Sequence, residues 1–146
     1  MYTERFSEAN ALLAVHYPLT RQTAKHVSAW VKMSVYHRAY FELLLGAMGV
    51  NSTVDAGLEQ ASDGTGTGAK AISGKTITQL TQAGSDDNSA AAIELRTEEL
   101  DVNGGFEWVR FYVTIGTADS SYAATLRGLE PRYAAVTTSA YDEIVG

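Results

Sequence analysis

The segment Phe106–Ala118, FEWVRFYVTIGTA, restricts the fold of this chain more than any other stretch. Val109, Phe111, Val113 and Ile115 recur at period two, with Trp108, Arg110, Tyr112 and Thr114 between them. Successive side chains of a strand point to opposite faces, so this alternation predicts a β-strand, and its β-branched and aromatic content agrees. One face is wholly apolar and requires a second layer to cover it. The other carries two large rings and a guanidinium, suited to a neighbouring element or to another protein. The preceding VNGG, Val102–Gly105, places Asn103 and Gly104 where positive φ is tolerated. It predicts a tight turn leading into a central strand of an antiparallel sandwich.

The remaining chain reads as shorter strands between turn-forming runs. Leu12–Tyr17 predicts a first strand, stopped by Pro18, which has no N–H for a ladder. After the polar connection Thr20–Lys25, His26–Met33 predicts a short second strand. His37–Met48, HRAYFELLLGAM, fits two periods. Ala39, Phe41, Leu43 and Leu45 alternate, while Tyr40, Leu43, Leu44 and Ala47 fall at helical spacing. Gly46 and Gly49 disfavour a helix, and the strand-like run that follows decides for strand.

Thr53–Ser62 turns Val54, Ala56 and Leu58 inward and Asp55, Gly57 and Glu59 outward, and Asp63–Gly68, DGTGTG, is a loop. Lys75–Gln82, Ala90–Arg96 with Ile93 and Leu95 inward, and Tyr122–Leu129 complete the strands, and Pro131 ends the regular pattern. Seven to eight short strands separated by Gly, Ser, Asp and Asn predict an all-β fold. It is a single antiparallel β-sandwich or jelly-roll-like barrel, here residues 12–135. Residues 1–11 form an N-terminal arm, either a short helix or extended, and residues 136–146 a C-terminal tail.

With 146 residues the chain suffices for one domain with a sizeable core, and 45% hydrophobic against 19% charged residues makes it globular. A net charge of −6 argues against nucleic acid as a partner, since such binders gain affinity by neutralising phosphates with Lys and Arg. Lack of cysteine removes disulfides, thiolate metal sites and thiol nucleophiles, and fits a reducing cytoplasm. MYTERFSEAN has no basic start followed by an apolar run, and Tyr40–Val50 is too short to span a bilayer. A soluble chain without a membrane role is expected.

No catalytic constellation emerges, and the expectation is a chain that is not an enzyme and needs no cofactor or metal. Gly74-Lys75-Thr76 resembles the end of a phosphate-binding loop, but position 69 is Ala where glycine is required, and ITQLTQ follows in place of a helix. His16, His26 and His37 are not at zinc-ligand spacing, and no serine sits in a GxSxG elbow. Asp86-Asp87-Asn88 and Asp101–Gly104 lack the bidentate glutamate of a calcium loop and read as solvated turns. Glu98, Glu99 and Asp101 sit together in a polar turn, without the apolar pocket that makes a carboxyl a general acid.

Apolar residues exceed what one sandwich needs. Trp108, Arg110 and Tyr112 are of the types enriched in interface hot spots. They either lie under another part of the chain or meet a partner. Tyr2 and Phe6 in the arm, and Tyr141, Ile144 and Val145 in the tail, pose the same alternative.

In order along the chain stand Ala29–Gly49 (AWVKMSVYHRAYFELLLGAMG), the Asp63-Gly64 turn and GGFEWVR at Gly104–Arg110. A small-residue strand ending in Arg127-Gly128 follows, and Pro131-Arg132-Tyr133-Ala134 closes the series. Over Leu12–Ala135 this ordered set resembles small β-sandwich structural proteins of tailed bacteriophages, encoded near the major capsid protein. The termini match no pattern of that family. The resemblance implies a capsid decoration or cement protein on the outside of the virion, assembled in the host cytoplasm. Its partners would be the major capsid protein and further copies of itself, as a dimer or trimer. A head–tail connector, a tail accessory protein and a carbohydrate-binding module with Trp108 and Tyr112 as stacking platform are the competing possibilities.

Overall fold

The alternation in FEWVRFYVTIGTA becomes a strand whose Val109, Phe111, Val113 and Ile115 are all buried, while Trp108, Arg110, Tyr112 and Thr114 are half-buried on the other face. The computed structural model describes residues 4–136 and 139–145. In chain order the elements are α1 (Phe6–Ala9), β1 (Asn10–Arg21), β2 (Ala24–Val27), β3 (Val31–Lys32) and β4 (Tyr36–Met48). There follow β5 (Thr53–Ala61), β6 (Lys70–Thr76), β7 (Leu80–Thr81), β8 (Ala90–Arg96), β9 (Trp108–Gly116) and β10 (Ser120–Pro131).

These ten strands fill eight lanes, because β2 and β3 both pair with β9, and β6 and β7 both pair with β5. The first sheet runs β1-β10-β4-β8 and the second β2/β3-β9-β5-β6/β7, with every pairing antiparallel. Numbered by lane, the orders are 1-8-3-6 and 2-7-4-5. Consecutive lanes therefore alternate between sheets, except that lanes four and five are neighbours in the second, which is a jelly-roll sandwich and not a closed barrel. The inner faces meet in one core. Phe41 of β4 and Phe111 of β9 face each other across it with ring centroids 5.2 Å apart.

The strand expected at His37–Met48 is present, with Ala39, Phe41, Leu43 and Leu45 buried. β5 and β8 also hold their expected inward residues. Several boundaries differ from the sequence reading, each for a local reason. Pro18 does not stop β1. That strand lies at a sheet edge, and its register slips between His16 and Leu19, so no ladder bond is required of the missing N–H. The strand expected at His26–Met33 is broken between β2 and β3. There the Ser28 hydroxyl accepts from Phe111 N (3.1 Å), while Ser28 N donates to Phe111 O (3.0 Å).

The strand expected at Lys75–Gln82 is displaced: β6 ends at Thr76, and only Leu80–Thr81 rejoins the ladder before a 3-10 turn at Gln82–Gly84. In the turn before β9 the positive φ belongs to Gly105 (+81°), and Asp101 Oδ1 caps it by accepting from Gly104 N. Gly57 faces outward as expected, opposite Tyr112, and is buried there beneath that ring. At the N-terminus, residues 6–9 make a single helical turn. Beyond Arg132, Val136 N donates to Glu8 O (3.0 Å) beside α1 and Ala140 N to Leu12 O (2.8 Å) at the free edge of β1. No helix among the described residues is long and apolar enough to cross a membrane.

Candidate protein-contact surfaces

Three surfaces carry the residues singled out from sequence, or apolar side chains left outside the core. The first is the outer face of the second sheet. Strand register places Glu59 of β5 beside Arg110 of β9. Arg110 Nε donates to Glu59 Oε2 at 2.8 Å, and Lys25 also pairs with Glu59. Burial pushes the Glu59 carboxyl up, but the hydrogen bonds from Lys25 and Arg110 outweigh it and hold the group below its ordinary value. The Tyr112 hydroxyl is raised by burial and by the Glu59 and Asp55 carboxylates. Lys25 Nζ stands 4.5 Å from the Tyr112 ring centroid, and the Arg110 guanidinium 4.5 Å from that of Trp30.

The DGTGTG loop closes over this face. A methyl group built on Gly64 would come within 3.1 Å of the Trp108 ring, one on Gly66 within 2.6 Å of Trp30 Nε1, and one on Gly68 within 3.4 Å of Phe106. Every second residue of the loop thus packs closely against an aromatic side chain. The Asp63 carboxylate fixes the curl by accepting from Thr65 N (2.9 Å), Thr65 Oγ1 (2.7 Å) and Thr67 N (3.1 Å). Hydrogen bonds from Thr67 and Thr65 hold that carboxyl well below the usual aspartate range. Trp108, Arg110 and Tyr112 are therefore brought together, with substantial cover from their own chain. Trp30 and Glu59 were not singled out from sequence as parts of this face, and the loop was read as a loop without its contacts to the rings. The spacing of glycines at 64, 66 and 68 was the available signal.

The second surface lies at the Arg21 end of β1 in the first sheet, where outward side chains of β4 and β10 meet the exposed end of β1. Leu44 of β4 is 50% exposed and Leu19 of β1 57%, with Ala123 of β10 paired beside Leu44. With Pro18, Gly46 and Ser121 they line an open, mainly apolar cleft of about 520 Å³. Sequence reading missed this surface because Leu44 entered it only as part of an alternative helical face, and Leu19 lies past Pro18.

The third surface is terminal. Tyr2 lies outside the described residues, and Phe6 is exposed on α1. The Tyr141 hydroxyl accepts from Arg127 Nη1 at 2.6 Å, which pins the tail to β10. Beyond it Ile144 is 53% and Val145 88% exposed. The sites weighed for chemistry act locally. His16 bridges the two sheets, while Asp86 and Asp87 accept from Thr81 N and Met48 N, both at 2.8 Å. Among the described residues, no group of three His, Asp or Glu side chains is placed to hold a metal ion.

No protein-family model matches the chain, and no curated protein matches it in sequence. Among solved structures, a chain of Triatoma virus aligns at 10% identity over 91% of this chain and 70% of its own, with a TM-score of 0.45. A chain from an empty cowpea mosaic virus-like particle aligns at 11% identity over 96% and 91%, with a TM-score of 0.41. A chain of the disulfide-linked pili of Bacillus endospore appendages aligns at 15% identity over 89% and 98%, with a TM-score of 0.39. Likeness this distant does not bear on what the chain binds.

Proposed function

We propose that this chain is a non-enzymatic virion structural protein of the decoration type. It seats on the outer shell of a tailed-phage head and bridges joints between major capsid protein subunits. The reading draws on the ordered sequence resemblance over Leu12–Ala135. The structural observation that supports it best is the uncovered, mainly apolar cleft that Leu19, Leu44 and Ala123 line at one end of the first sheet. A rigid sheet presents such a cleft without ordering cost on binding. Covering the exposed half of each leucine is worth about 1 kcal/mol. That is weak for one contact, but symmetric repetition over a shell multiplies it.

Heads purified without the protein provide the test. Added back, the wild-type chain should co-sediment with them in hundreds of copies and raise the temperature at which they release DNA. Leu44→Asp should bind at least tenfold more weakly, as loss of more than about 1.4 kcal/mol implies. Wild-type chain that ignores heads defeats the proposal, and a copy number of about six or twelve assigns the chain to a connector or tail ring instead.

A further inference from the structure

We propose that the cleft around Arg132 binds the acidic-then-apolar tail segment Asp142–Val145 of a second copy of this chain. Arg132 follows β10 and is fixed by neutral acceptors. Its Nε donates to Tyr36 O (2.9 Å) and its Nη2 to Thr97 Oγ1 (2.5 Å), while Thr97 Oγ1 in turn donates to His37 O (3.1 Å). It lines two adjoining clefts of about 490 Å³ each, and the carboxylates lining them are already paired. Glu130 meets Arg38, Glu98 lies 3.7 Å from Arg96, and Glu107 lies 3.3 Å from Lys32. Arg132 alone among these cations has no carboxylate partner among the described residues, although the chain carries a net charge of −6.

A guanidinium already held at two of its nitrogens, with donors to spare, is prepared to receive an anion. On one side of it the cleft is polar, with the Arg38–Glu130 and Arg96–Glu98 pairs offsetting each other and Arg132 left as the surplus positive charge. On the other it is mainly apolar, with Leu100, Phe106 and the 63% exposed Val102. A ligand that suits both sides has carboxylates followed by aliphatic side chains. The sequence Asp142-Glu143-Ile144-Val145 has that order, with Ile144 and Val145 exposed.

The direction of the tail in its own chain favours a second copy as the donor. In the tail Val136 bonds to Glu8 and Ala140, further on, to Leu12 of β1, whereas Arg132 stands across β10 from them, beside Val35 and Tyr36. Ile144 and Val145 are therefore led away from their own cleft. A groove on one copy that takes the tail of the next makes a heterologous contact, which grows as a file or closes as a ring. The contact does not depend on capsid binding: a chain that self-associates but ignores phage heads upholds it and defeats the decoration proposal.

Sedimentation velocity over a concentration series, at low and high salt, tests this with full-length chains. Wild type should self-associate, and added salt should weaken the contact. Arg132→Gln should weaken it about tenfold or more. So should the exposed-site variant Val102→Asp, and so should a tail variant carrying Glu143→Lys with Ile144→Ser. The decisive mixture is Arg132→Gln, which keeps its tail, with the tail variant, which keeps its cleft. Each alone should remain monomeric, and together they should form one-to-one pairs that grow no further. Circular dichroism establishes that each variant is folded, and Val102→Asp replaces Arg132→Gln in the mixture if the latter is not. A monomeric wild type, an association that survives both cleft and tail changes, or folded variants that fail to pair would each overturn the proposal.

Discussion

His16 shows how one side chain ties the two sheets together. From β1 its Nδ1 lies 2.8 Å from the Tyr122 hydroxyl and its Nε2 3.2 Å from Val27 O on β2, with the ring edge-on to Phe111 at 4.7 Å. The neutral tautomer with its proton on Nε2 satisfies both contacts: Nε2 donates to the Val27 carbonyl and Nδ1 accepts from Tyr122. Burial lowers the His16 pKa, the Val27 carbonyl opposes that, and Arg21 and His26 add to the lowering. Burial also pushes the Tyr122 hydroxyl up to about 12. A histidine depressed below its unfolded value contributes stability that is complete above about pH 6.5 and is lost as pH falls through the folded pKa. Glu59, Glu99 and Asp101, all held low, act further down, below their ordinary values of 4.5, 4.5 and 3.8. Urea unfolding should therefore show stability falling as pH drops below about 6.5 in wild type. His16→Ala should cost about 1–3 kcal/mol at pH 7.5 and flatten that limb. A limb of unchanged slope in His16→Ala would assign the loss to other groups.

At the scale of elements, legibility followed how far a segment's partners lie from it in sequence. β9, β5 and β8 were readable because their inward side chains meet only the core, which any alternating apolar face predicts. β4 was readable only with help, since Leu44 faces outward beside Leu43 and Leu45 and so mimics a helical stripe. β6 and β7 were misplaced because Thr and Ile favour a strand throughout Lys75–Gln82, while the ladder is set by β5, which Ile77 leaves after donating to Ala56 O (3.0 Å). The aromatic face was found, but its cover was not, because the DGTGTG loop is unreadable without the rings it lies on. That loop makes a testable distinction between two glycines. Gly66 and Gly74 both adopt positive φ, +90° and +71°. An added methyl meets Trp30 Nε1 at 2.6 Å in the first and nothing within 4 Å in the second. Gly74→Ala should cost about 1 kcal/mol from backbone strain alone. Gly66→Ala should cost clearly more and shift the tryptophan emission. Equal costs with unchanged fluorescence would separate the loop from the rings.

Across the whole molecule the first and last strands are neighbours. β10 lies between β1 and β4, so the sheet that presents Leu19 and Leu44 is not complete until nearly the entire chain is in place. Folding and binding then make opposite demands on adjacent residues of one strand. Leu43 points into the core with no exposure, and Leu44, its neighbour, points out at 50%. Leu43→Ala should destabilise the fold by about 2–5 kcal/mol, the range for truncating a buried leucine. Leu44→Asp should change stability by only about 0.5 kcal/mol, since its carboxylate stays in water. If the first sheet is the seat on a shell, Leu44→Asp loses attachment while remaining folded, and Leu43→Ala keeps its affinity in whatever fraction is folded. Denaturant titration beside co-sedimentation separates the two quantities. A Leu44→Asp chain that unfolds would refute the outward register of β4, and one that stays folded and binds heads as wild type does would move the contact to another face. The pair of leucines thus tests in one strand whether the jelly roll places its spare apolar surface outward for a partner.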